Sequence, residues 1–414
     1  MAGLDKKTVL IVGINYAPEH TGISPYTTQL ARHLRSCGVL PTVFTGVPHY
    51  PDWVVPPKYR HRLSSTECIE DVLVVRLRHY VPRTQSAVRR VMYELTYGLQ
   101  VALRRHSVQP DIVVAVVPSL FGAIAAARIA QMRGVPLVLW IQDLMGRAAS
   151  QSGIRGGAIL ARVTMAIEAR LIRNATAVIA INEEFRSYVL SLGLSESQVD
   201  VVPNWSHIAT PSESRATVRQ SLGWNEDQVI VLHAGNMGLK QGLENVVEAA
   251  RLSERDNSPI KFVLLGEGSR KKSLKDLAVA VKTIGFLAPV SEQQYSNILS
   301  AADVLLVNER ASAVGMSLPS KLTSYFRSGV PVVAAVPPEG ITAMELSRSN
   351  GGVVVPPDDP AALLAAVCKL ISDKSQQTTI TEAAAKYAQE RLRPELAFES
   401  ICSILQRSLS CRFS

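Results

Sequence analysis

A glycine-rich stretch that contains one lysine offers the clearest chemistry in this sequence: AGNMGLKQGLE, at Ala234 to Glu244. It follows a buried-strand pattern, Val229 to His233, and precedes a helical pattern that begins at Leu243. At such a turn the free backbone N–H groups and the positive end of the helix dipole bind anions, and Lys240 adds a full positive charge. The stretch predicts a phosphate or diphosphate site, although a tight connection between a strand and a helix fits the same pattern.

A second lysine lies in a similar setting further along the chain. The segment GMSLPSKLTSYFRSG, Gly315 to Gly329, precedes the strand pattern VPVVAA, and its part from Ser317 to Lys321 starts a helix. Ser320 offers a hydroxyl and Lys321 an ammonium group beside free N–H groups, a set suited to an anion. Two lysine-bearing loops on one predicted sheet strengthen the phosphate hypothesis.

Two more places in the second half resemble ligand loops. Gly266 to Gly268 follow a predicted strand and precede a basic segment, Arg270 to Lys272. Ile284 to Leu287 end another strand, where the backbone at Phe286 can meet a planar base. A simple strand exit fits this second place equally well.

The first half has a candidate loop of its own. Asn15 to Tyr26 reads NYAPEHTGISPY, in which Gly22 lets the backbone approach a ligand. Ser24 and Pro25 mark the start of a helix, as a capping residue and a first-turn proline. The loop lacks the G-x-G-x-x-G spacing of a dinucleotide-binding turn, which disfavours a dehydrogenase.

Acidic residues follow predicted strands at two places, and each has a structural alternative. The segment QDLMGR puts Asp143 and Arg147 at a strand end, where a carboxylate can bind substrate hydroxyls or simply cap a helix. Asp358 and Asp359, before Pro360, favour a helix cap over a metal site. Because G-x-S-x-G, H-E-x-x-H and D-x-D patterns are absent, we expect no covalent nucleophile and no metal.

Runs of β-branched residues alternate with helical patterns along the chain. The first series of predicted strands comprises Thr8 to Ile14, Pro41 to Thr45, Val72 to Leu77, Asp111 to Val116, Pro136 to Ile141, Ala175 to Ile181 and Gln198 to Val202. The second comprises Val229 to His233, Lys261 to Leu265, Val281 to Ile284, Asp303 to Val307, Pro331 to Ala335 and Gly352 to Val355. Strands that alternate with helices predict parallel sheets covered on both faces, so we expect an α/β protein of two doubly wound domains.

The length of 414 residues also favours two domains. Pro203 to Asn225, with two prolines and several Ser and Thr, is the best linker candidate. In open parallel sheets ligands bind beyond the carboxyl ends of the strands. We therefore expect the two domains to face each other across a cleft whose walls are strand-to-helix loops.

The composition favours a cytoplasmic protein. No run of about 18 apolar residues is present, since Ile112 to Ala130 is interrupted by Pro118, Ser119 and Arg128. The apolar run Thr8 to Ile14 is too short and too strand-like for a signal peptide. The five cysteines are scattered and never form a metal-type pair, which is typical of reduced bystanders.

The charge is distributed unevenly along the chain. Up to residue 195 there are 22 Lys plus Arg against 12 Asp plus Glu, and the remainder has 22 against 23. A basic first half predicts an anionic partner. Nucleic acid is disfavoured, because the arginines lie beside no aromatic-studded basic sheet, zinc spacing or helix-turn-helix signature. An anionic membrane surface or a lipid phosphate fits better.

Ser86 to His106 has the pattern of a basic amphipathic helix. Its arginines are Arg89, Arg90, Arg104 and Arg105, and its apolar residues are Val91, Met92, Leu95, Leu99, Val101 and Leu103. Helices of this kind lie on anionic membrane surfaces, and the alternative is an ordinary surface helix with solvated arginines. The sequence thus raises peripheral contact with the inner face of the cell membrane as a hypothesis.

Segments in order along nearly the whole chain resemble the glycosyltransferases of family 4. They are VLIVGINYAPEHTGISPYTTQLARHL, IQDL, ATAVIAINEEF, VDVVPNW, HAGNMGLKQGLENVVEAA, FVLLGEGSRKKSL, AADVLLVNE, LPSKLTSYFRSGVPVVAA and GGVVVPPDDPAALLAAV. The pairs NYAPE with TG and GNMG with KQGLE resemble most the branch that builds exopolysaccharides such as colanic acid.

The resemblance implies the GT-B fold of two Rossmann-like domains. It implies that residues 206–393 hold a nucleotide-sugar donor, UDP- or GDP-linked, and that residues 1–205 hold the acceptor. Residues 394–414 are expected to form a helix that packs back on the first domain. The implied reaction transfers a sugar to a glycan, lipid-linked or small-molecule acceptor with retention of the anomeric configuration, without metal and without a cofactor besides the donor.

The resemblance also assigns roles to single residues. Lys240 matches the family's donor-phosphate lysine, and Gly235 to Gly238 match its glycine-rich neighbour. Gly22 matches the first-domain glycine that faces the donor phosphate and sugar, and Asp143 lies near the acceptor-side polar residue.

This chain departs from the family pattern at two places. The paired glutamates, spaced by seven residues, would fall near Met316 and Ser324, where this chain has no carboxylate. Asn236 stands where the family often has an arginine after the loop glycine.

Other residues are candidates for the missing functions. Lys321 can supply the positive charge, and Glu309 and Glu345 are the candidates for ribose recognition. Two alternatives to transfer stay open: a sugar-nucleotide 2-epimerase of the same architecture, which needs clustered carboxylates and histidines, and a non-catalytic nucleotide-sugar-binding protein, which the absent glutamates favour.

Overall fold

The computed structural model describes residues 3–19, 22–50, 52–84, 86–104, 108–144, 157–206, 208–313 and 320–410. The chain divides into two compact units. The first unit comprises Met1–Asn204 together with Pro394–Ser414, and the second comprises Trp205–Arg393.

The first unit contains an eight-stranded sheet that is parallel except at one edge. Its strands are β1 Thr8–Val12, β2 Leu40–Gly46, β3 Ser64–Ile69, β4 Val72–Leu77, β5 Ile112–Val117, β6 Leu137–Ile141, β7 Ala177–Ala180 and β8 Val199–Val201. The order across the sheet is β3-β4-β2-β1-β5-β6-β7-β8, and β3 runs antiparallel to β4. The central strands are continuous apolar runs, rich in Val, Ile and Leu, because both faces of a parallel sheet are covered.

The second unit contains a six-stranded sheet that is parallel throughout. Its strands are β9 Val229–Ala234, β10 Ile260–Leu265, β11 Ile284–Leu287, β12 Val304–Asn308, β13 Val332–Ala335 and β14 Gly352–Val355, in the order β11-β10-β9-β12-β13-β14. Leu232 belongs to the apolar cluster on one face of this sheet and Val231 to the cluster on the other. This sheet therefore has a core on each side.

Fourteen helices accompany the two sheets in the described part of the chain. They are α1 Ser24–Ser36, α2 Ala87–Leu103, α3 Leu120–Arg133, α4 Gly157–Arg173, α5 Glu183–Ser191, α6 Arg215–Ser221, α7 Glu244–Arg255, α8 Lys271–Leu277, α9 Glu292–Ala301, α10 Ser320–Arg327, α11 Ile341–Ser349, α12 Pro360–Ser372, α13 Lys374–Arg391 and α14 Pro394–Ser410. None of these helices is both long enough and apolar enough to span a bilayer.

The C-terminal helix α14 packs within the first unit. It contacts α1 and the strands β6 and β7. The rings of His33 on α1 and Phe398 on α14 stack with centroids 4.5 Å apart, and Arg407 pairs with the carboxylate of Asp200 on β8. The helix thus joins a unit that is distant from it in sequence.

Both sheets reverse their strand order next to their first strand. In the first unit β1 lies between β2 and β5, and in the second β9 lies between β10 and β12. Ligands of open parallel sheets bind at this reversal, beyond the carboxyl ends of the strands. The loops after β1, β5, β9 and β12 are therefore the places where a site is expected.

One strand prediction is displaced and one strand was not predicted. The strand placed at Val281 to Ile284 begins at Ile284, because the N–H of Val281 still donates to the carbonyl of Ala278 in the turn after α8. Val281 is apolar because it is buried in the core, and that burial does not require a strand. The edge strand β3 has a half-buried pattern and no run of apolar residues, so it gave no clear signal.

The linker candidate Pro203 to Asn225 contains the boundary between the two units, after Asn204, and it also contains α6. Arg219 on this helix is buried, donates to the carbonyl of Asn225 and pairs with Asp303 at 3.1 Å. Ser214 caps the helix by accepting a hydrogen bond from the N–H of Thr217, so most of the segment belongs to the second unit.

Candidate functional site

The glycine-rich loop after β9 is closely packed at its start. Gly235 has φ +140, and a Cβ atom there would lie 3.2 Å from Cε and 3.3 Å from Nζ of Lys321. Gly266, after the neighbouring strand β10, has φ +138, and a Cβ atom on it would lie 2.0 Å from the carbonyl oxygen of Gly235. Only glycines allow the two strand-end loops to approach this closely. Close packing alone explains this glycine, and contact of Gly266 with a ligand stays a prediction.

The same loop is hydrogen-bonded to residues at the end of β12, which neighbours β9 on the side opposite to β10. It continues as a 3-10 helix, Leu239–Gln241, which contains Lys240. The carbonyl of Lys240 accepts from the N–H of Arg310 at 3.1 Å, and the amide of Asn308 donates to the carbonyls of Gln241 and Gly242 at 2.7 and 3.0 Å. The backbone that carries Lys240 is thus fixed at the sheet's point of reversal.

The loop between its glycine and its lysine is held by a side-chain hydrogen bond. The N–H of Gly238 donates to Oε1 of Gln241 at 3.0 Å. Nδ2 of Asn236 would lie 3.0 Å from a Cβ atom on Gly238, so these two residues are in close contact. Asn236 and Gly238 therefore line the same short turn as Lys240, as the sequence predicts.

Lys321 lies at the start of α10 beside a buried histidine. Its Nζ atom is 3.1 Å from Nε2 of His233, which is fully buried at the end of β9. Burial lowers the pKa of Lys321 to about 7, although the carboxylate of Glu309 opposes the shift. Burial also holds the pKa of His233 well below its usual range, so this ring is neutral. Sequence inspection did not single out His233, and a histidine at the end of an otherwise apolar strand was the available signal.

Glu309, directly after β12, completes the cluster. It is buried, and its Oε1 accepts from the hydroxyl of Thr342 at 3.2 Å. Burial raises the pKa of this carboxyl, while Lys240, Thr342 and Lys321 lower it. The structure therefore brings Gly235, Lys240, Lys321 and Glu309 together around the carboxyl ends of β9 and β12.

Two lysines and a turn of backbone around a single carboxylate favour an anionic ligand. The described residues contain no group of three or more His, Cys, Asp or Glu side chains able to hold a metal ion. Asp359, one of the two acids considered above, caps α12 by accepting from the N–H of Ala362 at 2.9 Å. The lysine pair, Lys240 and Lys321, is the cationic centre of this site.

Two predicted site residues do not join the cluster. Phe286 lies inside β11, where it packs against the core next to α8, with Lys275 5.9 Å from its ring centroid. It lies one residue before the end of β11, so Ile284 to Leu287 do end a strand, and contact of this backbone with a base stays a prediction. Glu345 on α11 already bonds to the hydroxyl of Tyr387 and pairs with Arg348 at 2.9 Å, so its carboxylate has structural partners.

Some predicted positions lie outside the described residues. They are Arg105, His106, Arg147, Met316, Ser317 and the side chain of Ser320. Ser324, where the family pattern has its second glutamate, is buried within α10.

In the first unit the two predicted residues follow strands that are not neighbours. Gly22, after β1, has φ +68, and a Cβ atom on it would lie 3.6 Å from Cε1 of Tyr50. Asp143, after β6, is half-buried and accepts from the N–H of Leu144 at 2.9 Å. Strand β5 separates β1 from β6.

Comparison with solved structures shows the fold. Sucrose-phosphate synthase from Thermosynechococcus elongatus superposes with a TM-score of 0.76 at 16% identity, over 98% of this chain and 100% of its own. HepE from Anabaena, in complex with UDP-glucose, superposes with a TM-score of 0.70 at 17% identity, over 97% of this chain and 100% of its own. The protein is of the GT-B class, and the predicted pair of Rossmann-like α/β domains is confirmed.

Sequence comparisons define the family. The glycosyl transferase 4-like domain matches residues 21–205, and the model described as glycosyl transferases group 1 matches residues 214–387. A protein of Escherichia coli (strain K12), provisionally named colanic acid biosynthesis glycosyl transferase WcaI, is 32% identical over 337 residues, or 78% of this chain and 81% of its own. The chain belongs to glycosyltransferase family 4 and is a transferase, as the sequence motifs predict.

Proposed function

We propose that this enzyme transfers a sugar from a UDP- or GDP-linked donor held by the second unit to an acceptor held by the first. The observation that carries the proposal is the lysine pair, which flanks Glu309 at the point of strand reversal beside Gly235. A diphosphate is the group that two such cations and the turn's N–H groups fit. HepE, similar in fold, was solved with UDP-glucose.

The chemistry needs little from the protein beyond positioned charge. When the bond between the sugar and the diphosphate breaks, negative charge develops on the departing phosphate oxygen. Preorganised cations stabilise that charge more in the transition state than in the ground state, which is the requirement for catalysis. Lys240 and Lys321 have this role in the proposal, Gly22 faces the donor phosphate and sugar, and Asp143 orients the acceptor.

We assign Glu309 to ribose recognition. Its carboxylate already accepts one hydrogen bond, from Thr342, and has acceptor capacity left for a second donor. A ribose hydroxyl is such a donor. We do not assign this role to Glu345, because its carboxylate already bonds to the hydroxyl of Tyr387 and pairs with Arg348.

A panel of UDP and GDP sugars tests the proposal. The protein is incubated with each donor and a mixture of simple glycosides, and the products are separated from the donor. The proposal expects a new glycoside with at least one donor. Conversion of the donor into its 2-epimer would indicate the epimerase, and donor binding without any product would indicate a nucleotide-sugar-binding protein.

We further propose retention of the anomeric configuration and turnover without metal or cofactor. The lysine pair supplies the positive charge that a divalent cation would supply at the diphosphate. The anomeric coupling constant in the proton spectrum of the product reads out the configuration directly. Activity that is lost in a chelator and restored by manganese or magnesium would contradict the metal-free reaction.

An exposed face on α2 supports peripheral membrane contact as a second proposal. Its inner face buries Tyr93, Tyr97 and Val101 against the core. Its outer face exposes a stripe of apolar residues with the spacing of one helical side: Val88, Met92, Leu95, Leu99 and Leu103. Val88 is 73% exposed and Leu99 57%, so this face is left open by the residues that the structure describes.

Arginines border this stripe. Arg89 lies beside its start and Arg104 directly follows its end, while Arg90 is half-exposed beside Glu94. An apolar stripe with basic borders matches the interior and the anionic headgroups of a lipid surface. We propose that α2 rests on the cytoplasmic face of a membrane, where a lipid-linked acceptor would be presented.

A further inference from the structure

The carboxyl ends of β1, β2 and β4 carry a cluster of rings and one carboxylate that the proposed reaction does not use. The rings belong to His49, Tyr50 and Trp53 after β2, to His79 after β4, and to Tyr93 and Tyr97 on α2. The carboxylate is that of Glu19, in the loop after β1, and it is buried.

Glu19 fixes the backbone on which two of the rings sit. Its Oε1 accepts from the N–H of His49 at 2.8 Å and from the N–H of Tyr50 at 2.9 Å, and its Oε2 accepts from Nδ2 of Asn15 at 2.8 Å. A carboxylate that accepts backbone N–H bonds is held firmly, because charged acceptors make the stronger hydrogen bonds. The loops after β1 and β2 are therefore locked to each other.

His49 extends this connection to α2. Its Nδ1 lies 2.7 Å from the carbonyl of Val47, which can only accept, so Nδ1 carries the proton. Burial lowers the pKa of His49 and keeps the ring neutral, so Nε2 accepts. The hydroxyl of Tyr93, 2.9 Å from Nε2, is the donor. Glu19, His49 and Tyr93 thus form a hydrogen-bonded chain, in which Glu19 bonds to the backbone N–H of His49 and Tyr93 bonds to its ring.

Trp53 covers this chain and remains partly open to solvent. Its ring centroid lies 5.5 Å from those of His49 and Tyr93 and 6.2 Å from that of Tyr50. Tyr50 is 37% exposed, and the backbone of Gly22 lies alongside its ring. The other three tryptophans are buried: Trp140, Trp205 and Trp224. Trp53 therefore differs from all of them.

Trp53 has an unusual backbone conformation. Its φ is +55, in the left-handed region that bulky residues rarely adopt. Such a conformation costs free energy, and it persists where the surroundings enforce it, commonly at ligand sites. Here the ring packs against the core yet stays only half-buried, beside the exposed Tyr50.

We propose that Trp53 and Tyr50, supported by the Glu19–His49–Tyr93 chain, form a carbohydrate subsite that holds a pyranose ring of the acceptor. The C–H face of a pyranose packs on an aromatic ring, and ligand sites combine such apolar surface with a few fixed polar groups. Glu19 and His49 are positioning residues in this proposal, because they act through the loop that carries Tyr50 and Trp53. The inference rests on the proposed function only in naming the sugar as the acceptor.

Tryptophan fluorescence tests the subsite without turnover. Because three of the four tryptophans are buried, acrylamide quenches Trp53 preferentially. The probes are the methyl glycosides of glucose, galactose, mannose and glucuronic acid. We expect at least one of them to shield Trp53 from acrylamide, and we expect Trp53→Phe to abolish both the quenching and the shielding. If none of the four glycosides changes the quenching of the wild type, the subsite is wrong.

Kinetics with the shielding glycoside as acceptor give the second measurement. Trp53→Ala is expected to raise the KM for the acceptor roughly tenfold and to leave the KM for the donor unchanged, since one aromatic contact contributes that much. Trp53→Phe keeps a ring and should recover most of the loss. Glu19→Gln should raise the acceptor KM by a smaller factor at unchanged donor KM, whereas a variant that merely unfolds would lose both.

The two measurements separate this inference from the proposed function. Shielding of Trp53 in a protein that transfers no sugar from any donor would support the subsite and overturn the transferase reaction proposed above. Normal transfer with an unchanged acceptor KM in Trp53→Ala would support the reaction and overturn the subsite.

Discussion

The two units build their sites from the same kind of sheet and fill them with different chemistry. In the second unit Lys321 lies beside His233 at the end of β9, and the buried carboxylate of Glu309 follows β12. In the first unit the buried groups after β1, β2 and β4 are Glu19, His49 and His79, and the ring of His49 bonds to the hydroxyl of Tyr93 on α2. The comparison shows that the sheet determines where a site lies, whereas the residues of the loops determine which ligand binds there.

The net charge of each half is a poor guide to its site. The first half is strongly basic, yet its strand ends bury the carboxylate of Glu19, and its arginines on α2 lie on the surface. The second half is close to neutral, yet it concentrates the lysine pair around one carboxylate. The composition therefore predicts the charge of each unit's outer surface, whereas the charge at its site depends on which single residues are buried there.

Removal of either lysine of the pair should have the largest effect. Lys240→Ala and Lys321→Ala each delete a charge-assisted contact to the donor phosphate, worth about 1.5 to 3 kcal/mol, so kcat/KM should fall roughly 10- to 150-fold. Steady-state kinetics with the best donor of the panel measure this. Lys369→Ala, at an exposed position of α12, is the matched control and should leave kcat/KM unchanged.

The same variants would contradict the assignment of donor and acceptor to the two units if their roles were reversed. Wild-type kcat/KM in both lysine variants would remove the donor phosphate from the second unit. An effect confined to the acceptor KM would place the acceptor at the lysine pair.

Glu94 gives the next largest effect, on stability. Its Oε2 accepts from the hydroxyl of Ser119, its Oε1 is buried without a hydrogen bond, and burial raises its pKa to about 7, against the opposing charge of Arg90. The folded state therefore binds more protons than the unfolded state between pH 4.5 and 7, so stability falls as the pH rises through this range. The loss amounts to about 3 kcal/mol above pH 7.

Glu94→Gln tests this effect by calorimetric unfolding from pH 4.5 to 8. The variant should lack the decline and be more stable than the wild type at pH 8, with little difference at pH 4.5. Glu248→Gln, at an exposed position of α7, serves as the control. A wild type whose stability stays flat over this range would show that Glu94 is charged in the fold.

Lys321 should make donor binding to the second unit depend on pH. With a pKa of about 7, Lys321 is mostly neutral above that pH when no ligand is bound. The other ionisable groups of this cluster are His233, which is neutral, and Glu309 and Lys240. A bound diphosphate restores the charge of Lys321. Donor binding should then take up a proton, and the Kd should rise about tenfold per pH unit above 7 and stay flat below it.

Calorimetric titration with UDP-glucose and with GDP-mannose, in buffers of different ionisation enthalpy at pH 6 and 8.5, measures the proton uptake. The diphosphate of these donors does not titrate in this range, so the uptake reports on the protein. Lys321→Arg keeps its charge and should bind without uptake at either pH. Equal uptake in the wild type and in Lys321→Arg would assign the proton to another group.

The sequence predicted the sheets well because buried parallel strands leave a strong local signal. Every predicted strand overlaps an observed one, since runs such as that of β5 are buried on both faces. The edge strand β3 and the helix α6 were missed because their signal depends on partners: β4 for the strand, and Asp303 for Arg219 on the helix. The family motif indicated Lys240, whereas Lys321 was predicted from its own loop and Glu309 as a substitute for an absent glutamate, and the structure puts both lysines near Glu309.

The rest of the site could not be predicted because it depends on distances across the chain. His233 and Lys321 are separated by 88 positions, and Glu19 and His49 by 30, so no local pattern joins them. The start of β11 was predicted three residues too early because Val281 is apolar through burial in the core. Local periodicity defines elements, whereas the ionisation of Lys321 depends on burial that only the folded structure reveals.

Membrane contact by α2 should give the smallest effect per residue and would extend the comparison to the outer surface of the first unit. Each cation near an anionic surface contributes about 1 kcal/mol and is screened within roughly 8 Å at physiological salt. The wild type should therefore sediment with vesicles that contain anionic lipid at low salt and lose this binding as salt is raised.

Arg89→Glu with Arg104→Glu should abolish binding, and Leu99→Ser should weaken it at every salt concentration. Arg128→Glu, an exposed reversal on α3, should bind as the wild type does, because that helix carries no comparable apolar stripe. A wild type that stays in solution at low salt would make the arginines of α2 a solvated face and favour a soluble sugar or small molecule as the acceptor.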